Sequence, residues 1–255
     1  MASVLDADDG AGFLRGIDPR FRIVAVVVFA VVVVECRTLL APALGLTLAM
    51  VLLGLSRLPV GATLRRMAGM DAFIVFMLLM LPFTVPGDVL FAVAGFPASR
   101  QGLMQAAQIA LKANAVVLTL MTLVGSMSSV TLGHALRQLH FPEKLVQLLM
   151  FTVRYIDVLH AEYLRLRTAM KARGFRPSTS LHTLRSLGYL VGMMLVRAME
   201  RSERILAAMK CRGFTGQFPQ FARFRIEARD RAFGVIAFLS CVLLIAVELL
   251  DVSAH

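Results

Sequence analysis

Four long stretches of the chain carry no charged residue: Thr38 to Ser56, Ala72 to Gly87, Ala113 to Leu136 and Ala232 to Val247. A fifth, Ile23 to Val34, is shorter but dense in valine, and it extends to Cys36 if Glu35 reaches an interface. A bilayer core about 30 Å thick takes roughly 20 mostly apolar residues in a helix. The pattern therefore predicts five membrane-spanning helices, near 21–37, 38–56, 68–86, 104–127 and 232–250.

Between the fourth and fifth spans the pattern changes from continuous to periodic. From Glu143 to Arg173 there is no Gly or Pro, and Leu145, Leu148, Phe151, Ile156, Leu159, Tyr163, Leu166 and Met170 recur at steps of about three and four. That spacing predicts an amphipathic helix or a helix pair. Gly174 stops it, and Pro177 with Ser178, Thr179 and Ser180 makes a loop. A second periodic stretch runs from Leu181 to Arg212, interrupted by Gly188 and Gly192 and stopped by Gly213. Within it Glu200 and Arg204 form an i,i+4 pair of opposite charge.

The expected fold is an all-α membrane protein of about five transmembrane helices, with a cytoplasmic bundle of amphipathic helices between helices four and five. Three regions follow: 1–128, a four-span bundle with its N-terminus inside; 129–231, a basic cytoplasmic segment; and 232–255, a last transmembrane helix. Composition agrees, since 58% of residues are hydrophobic, against about half in soluble domains. Charge then sets the orientation. The net charge is +11, and all of the excess lies in 129–231, which holds 18 Lys/Arg against 7 Asp/Glu. Basic segments beside spans stay in the cytoplasm. Arg15, Arg20 and Arg22 before the first span agree, as do Arg57, Arg65 and Arg66 after the second. The start, "MASVLDADDG", is acidic where a cleaved signal peptide is basic, so the first span reads as a retained helix.

The chain offers no chemistry of its own. It has no GxxxxGK[ST], HExxH, GxSxG or GxGxxG. Cys36, Cys211 and Cys241 form no CxxC, and none of the five histidines falls in an expected span. No catalytic, cofactor-binding or metal site is expected. Nucleic acid is not an expected partner either, because the arginines are spread along helical patterns without an aromatic or zinc-finger motif. Glu35, Asp71 and Lys112 lie in or near the spans. Intramembrane charges are functional candidates by default, but the different depths of Asp71 and Lys112 argue for structural roles, with both buried in the bundle.

One phrase occurs twice. "AMKARGF" (Ala169 to Phe175) ends the first periodic stretch and "AMKCRGF" (Ala208 to Phe214) ends the second, with only Ala172 and Cys211 differing. A basic last turn followed by Gly is an ordinary helix stop. A stop of that kind requires a basic residue and a glycine, which leaves the shared Met and Phe to explain. At 100° per residue, Met170 shares a face with Arg173, and Met209 with Arg212. Each end would present a small residue, a thioether and a guanidinium fork suited to carboxylates or carbonyls. Two such ends read as equivalent contacts for two equivalent partners.

These phrases resemble the paired Ala-Arg-Gly signatures of the transmembrane coupling subunit of energy-coupling-factor (ECF) transporters. The first copy matches as Ala172-Arg173-Gly174; the second has Cys211 where alanine is usual, before Arg212 and Gly213. "GIDPRFR" (Gly16 to Arg22) resembles the lead-in to that family's first span, with Arg22 where lysine is common. "LRQLHFPEKL" (Leu136 to Leu145), "FTVRY" (Phe151 to Tyr155) and "RSER" (Arg201 to Arg204) are similar to the cobalt-type branch, CbiQ. The resemblance implies a non-catalytic subunit of an ATP-driven importer in a bacterial-type inner membrane. Two cytoplasmic ABC ATPases would bind the ATP and receive the two helix ends. A separate membrane subunit would bind the substrate, expected to be a divalent metal, with cobalt first and nickel or a vitamin as alternatives. Met170, Ala172, Arg173, Gly174, Met209, Cys211, Arg212 and Gly213 would contact the ATPases. Two other classes compete. A membrane-embedded enzyme acting on a phosphorylated lipid lacks a paired carboxylate or nucleophile, and a conventional ABC permease offers one coupling helix per subunit.

Overall fold

The computed structural model describes residues 13–56, 60–86, 88–93, 96–214 and 227–254. The acidic N-terminal stretch, Arg57 and the 215–226 part of the basic segment lie outside the described residues, as do the side chains of Arg15, Arg66 and Asp71. The described residues fall into two compact units, one of 13–135 with 227–254 and one of 136–214.

The first unit contains α1 (Pro19–Glu35), α2 (Leu40–Leu55), α3 (Val60–Thr84), α4 (Arg100–Leu123) and α8 (Ala228–Ala254). Asp18 starts α1 by accepting the Arg20 amide at 2.9 Å, and Pro19 supplies a fixed φ in the first turn. Buried positions on α1 (Pro19, Arg22, Val26, Phe29, Val33) recur at three and four, as one packed stripe requires. On α2 the buried stripe is made largely of small residues, Ala41, Gly45 and Ala49, followed by Leu53. Small residues let helices approach closely where lipid offers no hydrophobic drive between them. The core is layered. Leu14, Ile17, Val26, Leu123 and Phe233 form one cluster. Phe29, Val33, Ala115, Cys241 and Leu244 form a second, and Ala49, Leu53, Met67 and Leu118 a third. Gly102 has a packing reason of its own, because a Cβ there would lie 2.8 Å from the Pro82 Cα.

The outer surface of this unit is more apolar than its interior is large. Val27, Val31, Val51, Phe76, Ile236 and Phe238 are all more than half exposed. Among the described residues, two helices, Arg100–Leu123 and Ala228–Asp251, are long and apolar enough to cross a membrane by length and composition. Their apolar windows are only 33% and 17% buried, which a soluble core helix would not tolerate. The helix α2, also apolar, has 16 residues and α1 has 17.

The regular structure of the described residues is helical apart from one short hairpin. Val89–Val93 (β1) and Phe96–Ser99 (β2) pair antiparallel between α3 and α4. Apolar, Pro- and Gly-containing residues in this linker suit a hairpin, and Ser99 at its end caps α4 by accepting the Gly102 amide at 3.1 Å. The helix α3 also starts earlier than its uncharged run, at Val60, because Arg65 and Arg66 do not interrupt helical backbone.

The helix α5 (Ser129–Gln138) leads into the second unit, which holds α6 (Glu143–Ala172) and α7 (Leu181–Cys211). The first periodic stretch is thus one helix, not a pair. Thirty and 31 residues make each of these about 45 Å long. Ser180 caps α7 by accepting the Thr183 amide at 3.3 Å. Phe151 and Tyr155, one turn apart on α6, stack at 6.2 Å between centroids.

Candidate functional site

The two phrases end α6 and α7 with the same backbone. In the first, the Gly174 amide donates to the Lys171 carbonyl at 3.0 Å and the Phe175 amide to the Met170 carbonyl at 3.1 Å. In the second, Gly213 donates to Lys210 at 3.0 Å and Phe214 to Met209 at 3.1 Å. This crossed pair of bonds is the Schellman stop, and it needs a left-handed residue after the cap. Gly174 and Gly213 fill that position at φ 80° and 75°. Arg173 and Arg212 are the cap residues themselves, at φ −86°, ψ 15° and φ −91°, ψ 12°. Exposure repeats too. Met170, Phe175, Met209 and Phe214 are half-buried, while Ala172, Arg173, Gly174, Cys211, Arg212 and Gly213 are exposed. No ion pair among the described residues engages Arg173 or Arg212.

The geometry corrects one step of the sequence argument. The Schellman stop is often accompanied by an apolar contact between the residues that Met170 and Phe175, or Met209 and Phe214, occupy. Capping therefore accounts for Met and Phe as well as Gly. A third helix end makes the point. At the end of α5 the His140 amide donates to Arg137 at 3.1 Å and Phe141 to Leu136 at 3.2 Å. His140 sits in the left-handed region at φ 61°. Leu136 and Phe141 thus take the Met and Phe places. What this third end lacks is arginine at the cap, where Leu139 stands. Set against it, the feature peculiar to the two repeated ends is an exposed Arg at the cap beside a small residue.

One ionic contact ties α6 to α7. Glu162 on α6, buried, pairs with Arg197 on α7 and, at 3.8 Å, with Arg165 one turn along. The Glu200–Arg204 pair forms at 3.9 Å on the surface of α7. An open groove lined by Leu164, Arg165, Thr168, Ala169 and Ala172 runs along α6 to the first phrase. On α7, Leu184, Val191, Leu195, Met199 and Leu206 form an exposed apolar stripe at steps of four and seven.

In the other unit, charged groups serve as caps. The "GIDPRFR" stretch meets the start of α8. The Asp18 amide donates to Asp230 Oδ1 at 2.6 Å, and the Glu227 amide to Asp230 Oδ2 at 2.7 Å. At the α1–α2 corner, Glu248 accepts the Arg37 amide and the Thr38 hydroxyl, both at 2.7 Å. Lys112 donates to the Val34 carbonyl at 2.9 Å, and Gln108 donates to the Arg37 carbonyl. Lys112 is thus half-buried at a helix end rather than buried in the bundle, and Glu35 is exposed. Among the described residues, no three His, Cys, Asp or Glu side chains gather as a metal site.

Comparison with known proteins bears on the family of the whole chain. The CbiQ family model, described as cobalt transport protein, matches residues 10–221. The energy-coupling factor transporter transmembrane protein EcfT of Brevibacillus brevis is 27% identical over 93% of this chain and 94% of its own length. EcfT of Bacillus subtilis is 24% identical over 81% and 82%. The cobalt transport protein CbiQ of Rhodobacter capsulatus is 27% identical over 61% and 63%. With the matched span reaching from the lead-in of α1 past both helix ends, this chain belongs to the CbiQ family of transmembrane components of ECF transporters.

Proposed function

We propose that this chain couples two cytoplasmic ABC ATPases to a separate substrate-binding membrane subunit in a divalent-metal importer. It is a multi-pass protein whose N-terminus and basic unit face the cytoplasm. The observation that carries the reading is the pair of matching exposed caps, each presenting Arg-Gly beside a small residue. Two like ends in one chain suit one copy serving two like ATPases. Arg173 and Arg212 anchor in the ATPase grooves, and Ala172, Gly174, Cys211 and Gly213 permit close approach, with Met170 and Met209 beneath. ATP is bound by those partners. The uncovered apolar stripe of α7 supports a further protein contact, through which a rigid-body shift of the helices passes to the substrate-binding subunit. Cobalt is the substrate favoured by the name of the matching family model, with nickel or a vitamin as the second reading.

The test is Arg173→Glu with Arg212→Glu. Co-purification of the ATPase pair and ATP-driven metal uptake are both expected to disappear, while the chain still inserts in the membrane. Normal uptake by this double variant would overturn the assignment. The enzyme alternative predicts turnover by the isolated chain in detergent.

A further inference from the structure

The two helices that end in the repeated phrases meet over a short stretch, and one ionic contact lies within it. Glu162 is the only buried charged residue among the described residues of 136–214. Its Oε1 takes the Arg197 guanidinium from the other helix, 35 residues away, and its Oε2 lies 3.8 Å from Arg165. Burying a carboxylate is costly unless it is paired. The pairing also fixes which turn of α6 faces which turn of α7, a constraint that apolar contact between two otherwise exposed helices does not supply.

We propose that Glu162 and Arg197 are positioning residues that act as the pivot of the α6–α7 pair. The inference rests on the coupling function above. Ala172 lies ten residues beyond Glu162, about 15 Å along α6, and Cys211 lies fourteen beyond Arg197, about 21 Å along α7. In the opposite directions α6 runs back about 28 Å to Glu143 and α7 about 24 Å to Leu181. A contact between rods of this length, with the Arg-Gly ends on one arm of each, turns a change in their separation into motion of the other arms. Without a fixed crossing point the helices slide, and the change is dissipated. The pair therefore serves transmission, whereas Arg173 and Arg212 serve attachment.

The experiment has two independent readouts. Spin labels on Cys211 and on Ala172→Cys, with the buried Cys36 and Cys241 replaced by Ala, report the distance between the helix ends in the isolated full-length chain. Glu162→Gln, which keeps shape and a neutral hydrogen bond, is expected to broaden that distance distribution. In a chain without labels the same substitution is expected to lower metal uptake about tenfold while the ATPase pair still co-purifies. The exchanged pair Glu162→Arg with Arg197→Glu, made together with Arg165→Gln so that the new arginine does not face a like charge, is expected to restore both the narrow distribution and uptake. An unchanged distribution in Glu162→Gln, or no recovery in the exchanged pair, overturns the pivot. If Glu162→Gln does not assemble, Arg197→Gln, altered at the half-exposed side of the pair, is read in the same way. Failure of the coupling reading shows itself separately, as ATPases that do not co-purify with the unaltered chain.

Discussion

The end of α5 and the ends of α6 and α7 share a backbone but not a surface. All three close with the same crossed hydrogen bonds, and all three put an apolar residue and a Phe at its two flanking positions. Yet α5 has Leu139 at the cap and a strained His140 after it, while α6 and α7 have Arg173 and Arg212 followed by glycine. The comparison separates what stops a helix from what the stopped helix displays. Met, Phe and the left-handed residue belong to the stop. The guanidinium and its small neighbour belong to the display.

The largest effect should come from making the two ends resemble the third. Arg173→Leu with Arg212→Leu copies the α5 cap residue into both. Since neither arginine holds an ion pair among the described residues, thermal stability in detergent is expected to shift by no more than about 0.5 kcal/mol, as for an exposed substitution. Co-purification of the ATPases is expected to be lost. Loss of stability together with binding would show that the arginines belong to the stop after all.

A smaller effect, of opposite sign, is expected at the third end. His140 adopts a conformation that costs most side chains about 1–2 kcal/mol, though His is among the residues that tolerate it better. Glycine relieves that cost but loses more chain entropy on folding. His140→Gly is therefore expected to stabilise the chain by about 0.5 kcal/mol, measured by thermal unfolding, with uptake unchanged. A destabilised His140→Gly variant would mean that the imidazole holds a contact worth more than the backbone strain.

How much of this could be read beforehand depended on sequence distance. The α6 and α7 ends lay open because their signals are local: a Gly-free periodic run, a basic last turn and a glycine. The α5 end has the same geometry without the same local signal, since a histidine does not mark positive φ as a glycine does. The β1–β2 linker has residues compatible with a hairpin, but beside two apolar spans it lacks the apolar–polar alternation that marks a strand. The Glu162–Arg197 tie joins residues 35 apart, and the Lys112 and Glu248 caps reach across 78 and 211 positions. No window along one chain contains both partners of such contacts. Charge counting located the basic unit, but it could not tell a buried carboxylate such as Glu162 from exposed Glu200.

The finest discrimination is between the two repeated ends themselves. Ala172 and Cys211 occupy the same last helical position, both exposed. A thiol there packs against nothing that distinguishes it, so Cys211→Ala tests whether the second end is the equal of the first. Helix propensity favours Ala over Cys by up to about 0.7 kcal/mol in a helix interior, and less in a fraying last turn. A stabilisation of a few tenths of a kcal/mol is thus expected, below what most thermal scans resolve. Under the proposed coupling role, uptake and ATPase co-purification should match the unaltered chain, because that role asks only for a small residue at this position and Ala172 is the small residue at the other end. A loss of uptake in Cys211→Ala would break the equivalence of the two ends, since Ala172→Ser or another small replacement at the first would then have no reason to behave alike. A bulky maleimide on Cys211 sharpens the same comparison from the other side: it adds volume where close approach is required, so it should block ATPase binding as strongly as it does on Ala172→Cys in a chain carrying Cys211→Ala.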